Sequence, residues 1–238
     1  MELFVCKDIQ KTLYLNLRTD DMELIFATSN PGKLREASEI LALFPHLNCT
    51  VLSPATLGLD FDPEETGSTL KDNSLLKARE LWKLCSRDCF ADDTGLEVDA
   101  LGGAPGIYSA RYGGEGTNDA KNNEKLLAEM NEVPDEERGA AFVSAVACVF
   151  PRECDAEIPE EFRTEKNGLR GFVVRGECRG TILREGRGCD GFGYDPLFYV
   201  SEKGCTFAEL PAEEKNAISH RGVAMRAFCR QFLSLFEN

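Results

Sequence analysis

Two neighbouring carboxylates, Asp92 and Asp93, stand in Phe90-Ala91-Asp92-Asp93-Thr94-Gly95, directly after a short apolar run. Adjacent carboxylates repel one another. Their placement makes chemical sense where a divalent cation lies between them and a phosphate, because hard cations prefer carboxylate oxygens. The plain alternative is a solvated turn at the end of a short buried strand, since Asp and Gly are ordinary turn residues. An acidic loop upstream, Asp60-Phe61-Asp62-Pro63-Glu64-Glu65-Thr66-Gly67, offers Glu64 and Glu65 to the same kind of metal. Lys33, Lys77, Lys215 and Arg221 are cations suited to a polyphosphate.

Three further groupings could hold a nucleotide. Ser29-Asn30-Pro31-Gly32-Lys33 lies between an apolar run of strand length and a helical pattern. Backbone N–H groups at a helix N-terminus plus a lysine suit an anion. It is not a Walker loop: Ala27 stands where the first glycine is required, and Leu34 follows Lys33 in place of Ser or Thr. Asp190-Gly191-Phe192-Gly193-Tyr194-Asp195-Pro196 lacks the third glycine and the strand-to-helix setting of a dinucleotide fingerprint. Its aromatic pair could set a ring against a base, with Asp195 or backbone groups at the base edge; a hairpin turn is the structural alternative. Ser219-His220-Arg221-Gly222 opens the last helix, where His220 and Arg221 could meet a base edge or a phosphate and Ser219 could cap the helix. Nothing in the chain suggests a covalent nucleophile.

The elements that must carry these groups alternate. A strand over 23–28 precedes a helix from Lys33 with Leu34, Ala37, Ile40, Leu41 and Phe44 on one face, ended by Pro45. Cys49-Thr50-Val51-Leu52 reads as a strand. Ser68 caps a helix carrying Leu70, Leu75, Ala78, Leu81 and Trp82, and the next strand ends near Ala91. Glycines crowd residues 102–114, which suggests close backbone approach or a flexible lid. Thr117 caps a helix to about Met130, residues 140–150 form a long strand, and residues 151–167 form an exposed loop or hairpin tip. Two strand-like runs flank Gly180, and a final helix over 219–236 presents Val223, Ala224, Ala227, Phe228, Phe232 and Leu235. Alternation of this kind predicts an α/β fold.

The totals narrow the function. The 238 residues are 42% hydrophobic, and 27 basic against 41 acidic residues leave a net charge of -14, which argues against nucleic acid as a partner. No apolar run reaches the ~20 residues of a membrane span. Ten cysteines without a Cys-x-x-Cys pair, and only two histidines, read as reduced thiols in a cytoplasm, with a disulfide framework as the alternative. Met22 directly precedes the first convincing strand, so residues 1–21 are expected to be an extension to a single domain over 22–238.

Taken together, Thr28-Ser29-Asn30-Pro31-Gly32-Lys33, Glu64-Glu65-Thr66-Gly67, Asn73-Ser74-Leu75-Leu76-Lys77-Ala78-Arg79, Ala91-Asp92-Asp93-Thr94-Gly95-Leu96, the glycine-rich 102–113 segment, Gly191-Phe192-Gly193-Tyr194-Asp195-Pro196 and Glu214-Lys215-Asn216-Ala217-Ile218-Ser219-His220-Arg221-Gly222 resemble the inosine triphosphate pyrophosphatase family in identity and order, over roughly residues 23–236. The resemblance implies an elongated α/β fold around a long mixed β-sheet flanked by helices, two lobes with the active cleft between them, and a homodimer. It implies Mg²⁺-dependent hydrolysis of ITP, dITP and XTP to the monophosphate and pyrophosphate. By position, Thr28, Ser29, Asn30, Pro31, Gly32 and Lys33 would hold the triphosphate, and Glu64 or Glu65 would bind metal. Asp93 would bind metal and accept the proton, with Asp92 in support. Thr94 would contact substrate. Phe192, Gly193, Tyr194, Asp195, Lys215, His220 and Arg221 would hold base and nucleotide, and Lys77 would add its charge. The N-terminal 21 residues and the charged 151–171 segment depart from the family pattern. Alternatives are a septum-formation-inhibitor-like pyrophosphatase acting on pyrimidine or modified nucleotides, and a non-catalytic nucleotide-binding module.

Overall fold

The computed structural model describes residues 22–47, 49–151, 163–166 and 169–234. The N-terminal extension, most of the charged loop, and Leu235 and Phe236 of the expected final helix lie outside the described residues.

In chain order the elements are β1 (Met22–Phe26), α1 (Pro31–Leu41), β2 (Cys49–Leu52), α2 (Leu70–Cys85), β3 (Cys89–Val98), a 3₁₀ turn (Gly106–Arg111), α3 (Asp119–Glu129), β4 (Gly139–Pro151), β5 (Arg163–Lys166), β6 (Leu169–Ile182), β7 (Phe198–Val200), β8 (Cys205–Thr206), α4 (Ala212–Ile218) and α5 (His220–Ser234). One sheet runs β2-β1-β3-β4-β6-β7-β8, with β5 also paired to β6. β1 pairs in parallel with β2 and β3, and the other ladders are antiparallel, so the sheet is mixed. Helices α1 and α5 bury Ala37, Ile40, Met225 and Phe228 against one sheet face, with Phe26 and Phe90. Helix α2 buries Leu75, Ala78 and Leu81 against the other, with Cys89 and Ala91. A third cluster, around Leu126, Phe198 and Phe207, fills the β7–β8 end. Strand alternation therefore sends Phe90, Asp92 and Thr94 towards α1 and α5, and Cys89, Ala91 and Asp93 towards α2.

Several sequence expectations need correction. β3 does not end at Ala91: it continues to Val98, and Asp92 and Asp93 pair with Val146 and Ala145 in mid-strand, so no turn is formed there. Residues 169–182 are one strand, not two. Its glycines serve packing, since a Cβ on Gly176 would stand 2.1 Å from the His220 carbonyl and one on Gly180 would stand 2.6 Å from the Phe198 ring. α1 begins at Pro31, with Pro31 in the first turn where its missing N–H costs nothing. It stops at Leu41, leaving Phe44 beyond the helix but packed on the core. The caps of α2 and α3 are Thr69 and Asn118, one residue after those expected. On α5, Val223 faces solvent. The described cysteines are all free thiols, with Cys85 and Cys89 Sγ 3.4 Å apart.

Candidate active site

On the α1–α5 side of β3, Asp92 is 1% exposed and fully engaged. Lys33 Nζ donates to its Oδ1 at 2.9 Å, while Arg221 Nε (2.9 Å) and Thr94 Oγ1 (3.0 Å) donate to Oδ2. Arg221 reaches on to Glu36 and, at 3.2 Å, to Thr94 Oγ1. Glu36 also accepts from Lys215 Nζ at 3.0 Å, and Lys215 binds Asp195 Oδ2 at 2.8 Å. The same Asp195 oxygen accepts the Phe192 N–H at 2.9 Å. The result is an alternating chain, Lys33–Asp92–Arg221–Glu36–Lys215–Asp195, three cations against three carboxylates. Buried charges need such partners. Burial works against ionisation of Asp92, yet Lys33, Arg221 and Lys77 outweigh it and hold the carboxyl well below the usual range. Burial lowers the Lys33 ammonium, an effect that Asp92 opposes and Arg221 and Lys77 reinforce.

On the α2 side, Asp93 accepts from Lys77 Nζ at 2.7 Å and Asn73 Nδ2 at 3.2 Å. Lys77 also binds Glu65 Oε1 at 2.9 Å, and Arg111 NH1 binds Glu65 Oε2 at 3.0 Å. Two carboxylates thus share one ammonium. Burial, with the Glu65 charge added, pushes the Asp93 carboxyl up despite Lys77. Glu65 is held down: burial opposes this, but Lys77 and Arg111 prevail. Glu64 lies apart from this group, lining a groove with Asp62, Leu76 and Glu80.

At the α1 N-terminus, Asn30 Oδ1 accepts from Gly32 N (2.8 Å) and Lys33 N (3.2 Å), and Thr28 Oγ1 accepts from Asn30 N. The N–H groups expected to face an anion are therefore already capped, which leaves Lys33 as the cation of this turn. A Cβ on Gly32 would stand 3.0 Å from the Phe192 ring, so the phosphate-type turn and the aromatic turn are in contact. Ser29 is exposed beside them, and Pro31 opens the helix.

Between these elements lies a cavity of about 170 Å³ bordered by Asn30, Lys33, Thr94, Phe142, Phe192, Gly193, Tyr194, Asp195, Lys215, His220 and Arg221. His220 stacks on Phe142 at 4.7 Å between ring centroids. Both its ring nitrogens are buried without a hydrogen-bond partner. Burial, then the charges of Arg221 and Lys215, hold the imidazole well below its ordinary value, so it is neutral at pH 7. A neutral imidazole offers one donor and one acceptor. The Tyr194 hydroxyl instead donates to Ser109 O at 2.8 Å, and Gly193 is fixed by its N–H to Asp119 and its carbonyl to Asn123 Nδ2. These two residues shape the wall with no polar side-chain group left over.

The cavity thus gathers Asn30, Lys33, Thr94 and the sequence-predicted residues between 192 and 221; Asp93, Lys77 and Glu65 are grouped across β3 from it, and Thr28, Ser29, Pro31, Gly32 and Glu64 do not line it. Sequence reasoning missed Glu36, Asn73, Arg111, Ser109 and Asp119. Glu36 carried a legible signal, a charge set beside the apolar positions Ala37 and Ile40 on α1. Arg111 carried none, because its partner Glu65 is 46 residues away.

Three comparisons bear on this arrangement. The Ham1 family profile matches residues 24–231. A dITP/XTP pyrophosphatase of Haemophilus ducreyi is 46% identical over 209 residues, 88% of this chain and 97% of the relative. Among solved structures, a HAM1 protein from Coxiella burnetii superposes with a TM-score of 0.74 at 36% identity, covering 89% of this chain and 98% of that one. A nucleoside-triphosphatase, dITP/XTP pyrophosphatase, from Mycobacterium abscessus gives 0.65 at 42% identity over 87% and 97%.

Proposed function

This chain belongs to the Ham1 family, and on that premise we propose the reaction it performs: hydrolysis of ITP, dITP and XTP to the monophosphate and pyrophosphate, which clears non-standard purines from the nucleotide pool. The observation that carries the reading is the cavity ending on a buried, neutral imidazole with two unpartnered nitrogens, beside Lys33 and across β3 from the Asp93–Lys77–Glu65 group. A 6-oxo purine accepts hydrogen bonds where adenine donates. A buried donor left unpaired by the wrong base discriminates strongly.

In this reading Phe192 gives the base a ring to lie against, and His220 and Arg221 meet its edge. Asp195 and Lys215 act on that wall through each other, because the carboxylate holds both the Phe192 N–H and the ammonium. The turn from Thr28 to Lys33 receives the phosphates through the Lys33 ammonium, which lies at the cavity border. Thr94 Oγ1, pinned between Asp92 and Arg221, borders the same space. Asp93 accepts the proton of the attacking water, and Asn73 and Lys77 fix its orientation.

Among the described residues no three His, Cys, Asp or Glu side chains converge on a metal position. Mg²⁺ fits nonetheless, since it is commonly held by one or two carboxylates together with substrate phosphates and waters. Asp93 and Glu65 already converge on a single cation, Lys77, which supports reading them as the residues that would hold Mg²⁺, with the neighbouring Glu64 as the alternative. When bound, the ion would screen charge on the leaving pyrophosphate and activate the water. Cytoplasmic location and homodimeric assembly complete the proposal, supported by the free thiols and the family resemblance. No described helix is long and apolar enough to cross a membrane.

A screen of triphosphates with Mg²⁺, following release of pyrophosphate and monophosphate, tests the proposal. ITP, dITP and XTP are expected to be preferred over ATP, whose 6-amino group leaves the buried donor unpaired. Preference for dTTP or UTP would overturn it in favour of a septum-formation-inhibitor-like activity, and tight ITP binding with no turnover would favour a binding module.

A further inference from the structure

Glu65 lies on an irregular loop between Leu57 and Leu70, where no helix or strand sets its side chain. Its two oxygens are held from outside: Oε1 by Lys77 of α2 and Oε2 by Arg111. Lys77 is shared with Asp93, so it sets the distance between the two carboxylates but leaves the second Glu65 oxygen free to rotate about that contact. Arg111 removes this freedom.

Arg111 acts from a fixed platform. It ends the turn Gly106–Arg111, which is fastened to β3, the strand that carries Asp93. Ser109 Oγ accepts the Leu96 N–H at 2.8 Å and donates to Gly106 O at 2.6 Å. The Gly106 carbonyl passes so near β3 that a Cβ on Gly95 would stand 2.5 Å from it. The buried Tyr194 hydroxyl ties Ser109 O to the aromatic turn, and the Arg111 guanidinium lies 5.3 Å from the Tyr108 ring centroid. A half-exposed ion pair adds little to stability. A clamp that aims a metal-binding carboxylate has a use, because outer partners of a metal ligand fix its orientation.

We propose that Arg111 is a positioning residue that fixes Glu65 and directs its carboxylate towards Asp93. The proposal rests on the reading of Glu65 and Asp93 as the Mg²⁺-binding pair, and it adds the residue that sets their geometry. It also gives the glycine-rich 102–114 segment a task. Close passage beside Gly95 lets one short turn brace the carboxylate pair through Arg111 and the cavity wall through Ser109 and Tyr194.

The test is Mn²⁺ binding to the nucleotide-free protein, followed by electron paramagnetic resonance, beside the Mg²⁺ dependence of ITP hydrolysis. Arg111→Ala is expected to weaken Mn²⁺ binding about tenfold and to raise the Mg²⁺ needed for half-maximal rate by a similar factor. Its kcat at saturating Mg²⁺ should stay within about twofold of wild type. Arg111→Lys, which keeps the charge but loses the planar fork, should fall between the two. Thermal melting of both variants should match wild type. Unchanged Mn²⁺ affinity in Arg111→Ala, where Glu65→Gln has lost it, overturns the inference and leaves the metal reading standing. Mn²⁺ affinity indifferent to Glu65→Gln overturns both.

Discussion

Asp92 and Asp93, neighbours in sequence, project from opposite faces of β3 and take opposite pKa shifts. Asp92 meets Lys33 and Arg221 and is held well below the carboxylate range, whereas Asp93 meets Lys77 and Asn73 and is pushed up by burial. A single cation clasped between the two is therefore not the arrangement found. Asp92 is a buried anion that organises the cavity wall, and the chemistry proposed above is assigned to Asp93.

Asp93→Asn should separate chemistry from stability. The amide keeps the shape of the side chain but cannot accept a proton, so kcat on ITP with Mg²⁺ is expected to fall by at least about 10²-fold. Circular dichroism and the melting temperature should stay near wild type. Full activity in this variant would remove Asp93 from its role.

Arg221→Met strikes the opposite face. Arg221 is 2% exposed and stands between Asp92 and Glu36; without it two buried carboxylates lose a shared partner. Breaking a buried ion pair from one side costs roughly 3–5 kcal/mol, to be read from urea unfolding. A loss below about 1 kcal/mol would mean that Lys33 and Lys215, already bound to Asp92 and Glu36, hold the two carboxylates without Arg221.

How much of this was legible follows from the reach of each interaction. The motif segments announced themselves because turn chemistry and short spacing are local. The order of strands and helices followed from hydrophobic period, and the α/β class with it. β3 runs through the expected turn because, although Asp-Asp-Thr-Gly has the composition of a turn, the β4 ladder and ion pairs from α1, α2 and α5 hold it extended. Gly180 departs from expectation for a similar reason: its small size makes room for the Phe198 ring and breaks no strand. The commitment of Lys215 and Arg221 to Glu36, 179 and 185 residues away, could not be read from spacing at all.

Gly32→Ala probes the contact between the two turns. Its Cβ would stand 3.0 Å from the Phe192 ring and 3.1 Å from Asn30 Oδ1, so the ring must give way by a few tenths of an ångström. Since small misplacements at a site are costly, KM for ITP is expected to rise roughly tenfold with little change in unfolding free energy. Unchanged kinetics would show that the Phe192 ring moves aside without consequence.

His220 should write its own pH signature on stability. Its folded pKa lies well below the ordinary value, first through burial and then through Arg221 and Lys215, while Asp92 opposes them. The unfolded chain binds a proton below about pH 6.5 that the folded protein refuses. The contribution is thus fully present above about 6.5 and lost as pH falls, with a slope approaching about 1.4 kcal/mol per pH unit. Asp92, with a depressed folded pKa, acts in the same direction, but only as pH falls below about 3.9. Asp93, with a raised one, acts oppositely: its contribution is present below about 3.9 and lost as pH rises through its folded value. Only the first effect vanishes in His220→Phe. A phenyl ring suits the space against Phe142 and Phe207 and leaves no buried nitrogen unpaired, so the variant should be at least as stable as wild type at pH 7. Between pH 7 and pH 5 the wild-type unfolding free energy should drop by up to about 2 kcal/mol more than that of the variant. Parallel urea-unfolding profiles would instead show that the imidazole takes up its proton inside the folded protein, and a neutral His220 at the base edge would then have to be abandoned.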